Sequence, residues 1–239
     1  MLGKEEFRQK LDDALKSHNA LNHPLLIQLT NPVPQWDLLK TMSLQAYQLT
    51  KSFVQYVGAL YYYCPIEKMK TRLATNIYEE ETGRISKTKN HIKLMRDFLY
   101  ALKLTDEEID NVESFPETQE LIDYRNDLVH NPDTYHRGAA AVMIASEGQS
   151  LEERAGEARE DLFPGIYGLT EKDLLFFSVH AKEDIAHVKE GLDLVTEVCT
   201  TAKMQEEAIE AVHHTCDLFY KFYDGVQRHF DEKNLAKAQ

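Results

Sequence analysis

The segment FFSVHAKEDIAHVKEG carries His180, Asp184 and His187, at offsets of four and seven residues. In a helix those offsets bring three side chains to one face within two turns. Two imidazoles and a carboxylate so placed can converge on a metal ion, and this donor mixture suits iron or manganese. A short pattern of this kind also arises by chance among 10 histidines and 40 acidic residues. With Lys182, Glu183 and Lys189 as neighbours, a solvated charged face is the plain alternative.

Other acids shift that balance. Glu147 lies in AAAVMIASEGQS, a run of small and apolar residues that predicts a buried face. A buried carboxylate costs several kcal/mol unless it is paired or bound to metal. Glu79, Glu80 and Glu81 follow Asn76-Ile-Tyr, and successive residues of a helix point about 100° apart. Leu73 and Ile77, seven and three residues before Glu80, mark the inward face, so Glu80 is expected inside and Glu79 outside. Downstream, His91 opens an apolar segment with Ile92, Leu94, Met95, Phe98 and Leu99, where a satisfied histidine at a helix start is the bland reading.

The elements that must position these groups are helical. The 239 residues hold only 10 glycines and 7 prolines, too few for a loop-rich β architecture. Phe7, Leu11 and Leu15 repeat at helical spacing, and Asn31-Pro-Val-Pro breaks the chain. Helices are expected over 35–63, from Pro65 to about 81, over 91–104, and from the Thr105 capping box. Further helices are expected over 118–128, 138–162, 170–200 and 204–230, with Gly83 as an interruption and 164–168 as a loop. The reading is one all-α domain, 1–239, of seven to nine helices.

Composition excludes several functions. A net charge of −13 without a basic stripe argues against nucleic acid. No apolar run reaches the roughly 18 residues of a membrane span, and the charged N-terminus does not read as a secretory signal, so a cytoplasmic setting is expected. Cys64, Cys199 and Cys216 form neither a disulfide framework nor a zinc knuckle, as in a reducing compartment.

Taken together, Asn76-Ile-Tyr-Glu79-Glu80-Glu81-Thr-Gly83, then His91, then Glu147, then His180-x3-Asp184-x2-His187 resembles the ligand order of the heme-oxygenase-like diiron oxidases and oxygenases. This family includes the chlamydial protein associating with death domains. The resemblance covers about 35–200 and implies a heme-oxygenase-like bundle that binds two Fe(II) ions per chain, with O₂ as co-substrate. Its spacing to Gly83 selects Glu80, and the implied ligands are Glu80, His91, Glu147, His180, Asp184 and His187. The NIYEEETG and ASEGQS strings look most like a cyanobacterial branch that converts brominated L-tryptophan (the 5,7-dibromo form) to an indole-3-carbonitrile with C–C cleavage. What this implies is an amino-acid substrate, and it leaves open a homodimer and an external electron donor. Tyr47 and Tyr61 could line its pocket, and Lys51 or Arg84 could hold its carboxylate; core packing and a solvated surface are the alternatives.

One spacing departs from the pattern, which often has seven residues from glutamate to histidine. Glu80 to His91 is eleven, roughly 16 Å along a continuous helix, too far for metals about 4 Å apart. Residues 83–90 must therefore loop out if His91 is a ligand. Rival readings are other diiron chemistries (amino-acid fragmentation, N-oxygenation, fatty-acid decarboxylation), a metal-free thiaminase-like or cofactorless relative, and a helical interaction protein.

Overall fold

The computed structural model describes residues 1–150 and 159–237, and among these no strand occurs. The helices are α1 (Lys4–His18), α2 (Pro24–Leu29), α3 (Trp36–Tyr63), α4 (Glu67–Thr82), α5 (His91–Ala101) and α6 (Asp106–Asp110). They continue as α7 (Pro116–Val129), α8 (Tyr135–Ala139), α9 (Arg159–Tyr167), α10 (Leu175–Val198) and α11 (Ala202–Lys237).

Two apolar clusters divide the interior. One gathers Phe7, Leu11 and Leu15 of α1 with Leu73 of α4, Met143 and the C-terminal half of α10. The other holds Leu38 and Leu39 of α3, Phe98 of α5, Leu121 of α7 and Phe163 of α9. The long helices α3 and α11 contribute to both clusters. On α10, Phe176 and Phe177 pack on the second cluster, and Val188, Leu192 and Val195 belong to the first. The polar stretch 180–187 therefore lies at the seam between them.

Three expected elements are corrected. Residues 138–162 are not one α-helix: α8 widens into a π-helix over Ala140–Ser146, followed by a 3-10 turn over Glu147–Ser150. Here α10 passes so close that a Cβ on Gly191 would stand 2.3 Å from the Met143 carbonyl oxygen. The rest of that expected helix up to 158 lies outside the described residues. Residues 164–167 are helical rather than loop, because burial of Phe163 and Tyr167 outweighs the bond that Pro164 cannot make. Thr170 and Asp173 exchange capping bonds in a turn, but regular helix starts only at Leu175.

The interruption between Glu80 and His91 is built as the ligand spacing requires. Gly83 ends α4 with φ of 62°, and the Thr88 N–H donates to its carbonyl at 2.7 Å. A Cβ there would lie 2.2 Å from the Lys89 carbonyl oxygen, so glycine is required twice over. Asn90 caps α5 by accepting from the Lys93 N–H at 3.2 Å. Its amide donates to the Glu81 carbonyl at 3.1 Å, tying the start of α5 to the end of α4.

Gly83→Ala should lower stability by about 1–3 kcal/mol through strain at a positive φ. Gly58→Ala, where a Cβ on α3 meets nothing within 4 Å, should be neutral or stabilising by up to about 1 kcal/mol. Chemical denaturation of both variants checks the contrast, and equal effects would contradict it.

Candidate metal centre

Three helices and the turn after the π-helix bring the six sequence-nominated ligands into two triads. Glu80, His91 and His180 form one, and Glu147, Asp184 and His187 form the other. In each, one donor atom per residue lies within 4.8 Å of the others. In the first triad His91 Nδ1 stands 3.0 Å from Glu80 Oε2. In the second, His187 Nδ1 is 3.3 Å from Glu147 Oε1 and 3.8 Å from Asp184 Oδ1. His180 and Asp184 are one turn apart on α10, so the triads are neighbours.

The burial of these groups is extreme for ionisable side chains. His91 and Asp184 are each 1% exposed, and Glu80 and Glu147 are also buried. Among the described residues, both ring nitrogens of His91, Asp184 Oδ1 and His187 Nδ1 have no hydrogen-bond partner. Orphaned polar atoms of this kind carry a desolvation cost that a cation would remove. His180 is oriented for the same task. Its Nδ1 donates to the Phe176 carbonyl at 2.6 Å, which leaves Nε2 facing away from the helix as a ligand atom. The donors therefore fit iron in kind, number and state of satisfaction.

Charge is unevenly distributed. At Glu147 burial pushes the carboxyl upward, but the His187 and His180 charges win and hold it below its usual range. Asp184 is raised well above its usual value by burial and by the Glu147 charge beside it. Burial works against a charged His187, yet Glu147 and Asp184 raise it to about 11. His180 is lowered, chiefly by burial.

Sequence reasoning placed Glu79 outside, and here the structure corrects it. Glu79 is buried, accepting from the Ile85 N–H at 2.6 Å and the Ser86 N–H at 3.1 Å. The chain folds back over the end of α4 after Gly83, so an outward position on the helix becomes an inside one. Glu79, His91 and Glu183 make a third group of metal-capable donors. Glu183, counted with the charged face in the sequence, is raised by burial and by Glu79; its i,i+3 offset from His180 was the available signal. Asn76 links the first motif to the second triad, donating to Glu147 Oε1 at 3.3 Å.

The residues nominated for substrate are dispersed. Tyr47 is buried and its hydroxyl accepts from Arg96 at 3.3 Å, with Lys51 Nζ 5.2 Å over its ring. Tyr61 is exposed, and the exposed Arg84 donates to the Tyr78 hydroxyl at 3.4 Å. The buried cation is instead Arg125 of α7, 2% exposed and unsuspected from the sequence. It lies 5.0 Å from the Tyr56 ring and 5.7 Å from the Phe219 ring, and it donates to Ser146 Oγ at 3.3 Å. Among the described residues its Nη2 has no partner, and no carboxylate contributes to its charge balance.

A cysteine-nucleophile reading finds no support in the thiols. Cys64, Cys199 and Cys216 are buried, and burial pushes the Cys199 and Cys216 thiols up to about 12, away from the thiolate such chemistry needs. No helix among the described residues is long and apolar enough to cross a membrane.

Helical bundle and buried donors together define a class, and comparison with known proteins agrees. Residues 40–220 match the family described as iron-containing redox enzymes, and the chain belongs to that family. A 4-aminobenzoate synthase of Nitrosomonas europaea is 26% identical over 234 residues, covering 94% of this chain and 92% of that protein. The 4-aminobenzoate synthase of Chlamydia trachomatis is 22% identical, covering 91% of this chain and 90% of its own length. Among solved structures, a TenA homologue from Pseudomonas syringae superposes with a TM-score of 0.76 at 21% identity, over 92% of each chain. A CADD-like protein of unknown function from Nostoc punctiforme gives 0.69 at 19% identity, over 94% of this chain and 95% of its own. At these identities the structural matches speak for the fold, which is heme-oxygenase-like.

Metal binding to the second triad should eject protons. His187, held at about 11, is protonated at neutral pH in the metal-free protein, while Asp184 beside it is raised well above its usual value by burial and the Glu147 charge. His187 must lose that proton to ligate, so affinity should rise with pH, about tenfold per unit. Calorimetric titration in buffers of different ionisation heat measures the release. Affinity constant between about pH 6 and 8 would contradict it.

Proposed function

We propose that this chain is a non-heme diiron oxidase or oxygenase that uses O₂ on a small amino acid. The observation that carries the reading is the pair of adjacent triads, each with imidazole and carboxylate donors, buried and short of partners. Glu80, His91 and His180 would hold one ion, and Glu147, Asp184 and His187 the other. Bound iron would supply the reduction of O₂. This chain's residues do the rest. Phe176 fixes the His180 ring through its carbonyl, and Asn76 orients Glu147. The two apolar clusters on either side of 180–187 keep water from the reacting groups.

Arg125 supports an anionic substrate. A buried guanidinium stays charged, and without a carboxylate partner among the described residues its ring and hydrogen-bond contacts offset only part of its desolvation cost. Ser146, which it reaches, is next to Glu147. An amino acid entering with its amine toward the metals would give this cation its missing carboxylate.

In its most specific form the substrate is a brominated L-tryptophan and the product an indole-3-carbonitrile, supported by the NIYEEETG and ASEGQS strings. The second form is 4-aminobenzoate formation, supported by the match to the Nitrosomonas relative along nearly the whole chain.

Anaerobic Fe(II) titration should reach about two ions per chain, and an O₂ pulse should then consume brominated tryptophan, with product identified by mass. Asp184→Asn should abolish one iron equivalent while helicity persists. No iron bound by the unmodified chain would overturn the proposal. Arg125→Met should leave the melting temperature equal or higher and raise the KM for the amino acid at least tenfold, about 1.4 kcal/mol of binding. A lower melting temperature with unchanged KM would make Arg125 a packing residue only.

A further inference from the structure

Two buried polar atoms face each other without a bond. His91 Nε2 and Glu183 Oε2 are 3.8 Å apart, and neither has a hydrogen-bond partner among the described residues. The other ring nitrogen of His91, Nδ1, is the one turned to Glu80. A histidine that gives one nitrogen to a metal carries its proton on the other, and that N–H ordinarily finds a carboxylate or a carbonyl. His180 has found its acceptor in the Phe176 carbonyl; His91 has not.

Two carboxylates are near enough to serve. Glu79 Oε1 is 3.6 Å from His91 Nε2, but both its oxygens already hold the backbone of Ile85 and Ser86 in place. Glu183 has an oxygen free, and its side chain, 18% exposed, retains room to move. A shift of about 1 Å closes the gap to a charge-assisted hydrogen bond.

We propose that Glu183 is the positioning residue of the first metal site: its Oε2 accepts the Nε2–H of His91 and so fixes the tautomer and ring orientation that present Nδ1 to the ion. This rests on the reading that Glu80, His91 and His180 bind a metal. It gives each histidine of that triad its own acceptor, a carbonyl one turn earlier on α10 for His180 and a carboxylate from α10 for His91. Glu79 keeps a separate task, holding the 83–90 segment over the site.

Glu183→Leu and Glu183→Gln, made in the full chain and titrated anaerobically with Co(II), test the assignment through the visible d–d absorption. The unmodified chain should bind two ions. The leucine variant should weaken one of them about 10- to 100-fold and change its d–d band, leaving the other ion and the melting temperature of the metal-free protein unchanged. The glutamine variant keeps an acceptor oxygen and should recover most of that loss. Two ions bound by the leucine variant as tightly as by the unmodified chain would overturn the proposal. So would a glutamine variant as weak as the leucine one, because then charge and not the hydrogen bond matters. A third ion on the unmodified chain, lost in the leucine variant, would put a cation among Glu79, His91 and Glu183 and would also overturn it. An unmodified chain that binds no ion would overturn the metal reading as well, and is thereby distinguishable from failure of this step alone.

Discussion

Carboxylate charge without enough protons or cations to balance it is the condition around which this bundle is arranged. Glu79, Glu80, Glu147 and Asp184 are all buried, in a chain already carrying a net charge of −13. Desolvation alone would drive such groups neutral or apart. The structure meets the condition in several ways: backbone N–H groups at Glu79, an imidazolium beside Glu147, and a carboxyl at Asp184 raised well above its usual value. Each is a partial remedy. Cations placed where α4, α5, α10 and the turn after the π-helix meet would complete them at once.

The seam also explains why the site can be polar without weakening the domain. A single apolar core would have to admit these charges into its middle. Two clusters joined by α3, α10 and α11 leave a boundary where polar groups meet one another instead. The cost appears locally, in the π-helical widening at Ala140–Ser146, a deviation that is often found at functional sites.

Much of this was legible in the sequence, and the unread parts have physical reasons. The all-helical class followed from periodicity, and the offsets of His180, Asp184 and His187 needed only helix geometry. Leu73 and Ile77 pointed to an inward Glu80, and that side chain is buried. Glu79 was misplaced because helical phase says which way a side chain leaves its own helix, not what the next segment folds over it. The π-helix was invisible because AAAVMIAS is equally suited to an α-helix. Arg125 lies on α7 among polar neighbours, and nothing in that local pattern marks an arginine that tertiary packing encloses. The reach of α9 past Pro164 was hidden for a similar reason, since burial of Phe163 and Tyr167 is a long-range gain.

The join between α4 and α5 has a consequence for how its spacing is read. Its two ends are pinned independently, one by the left-handed turn at Gly83 and one by the Asn90 side chain reaching back to Glu81. Between the pins the Glu79 carboxylate holds the N–H groups of Ile85 and Ser86, so the join is clamped to the end of α4 and the start of α5 is placed with it. The number of residues from Glu80 to His91 measures the length of this excursion and not the distance between the two side chains, which stand 3.0 Å apart. The features under geometric control are the glycine that starts the loop, the carboxylate within it and the cap that ends it.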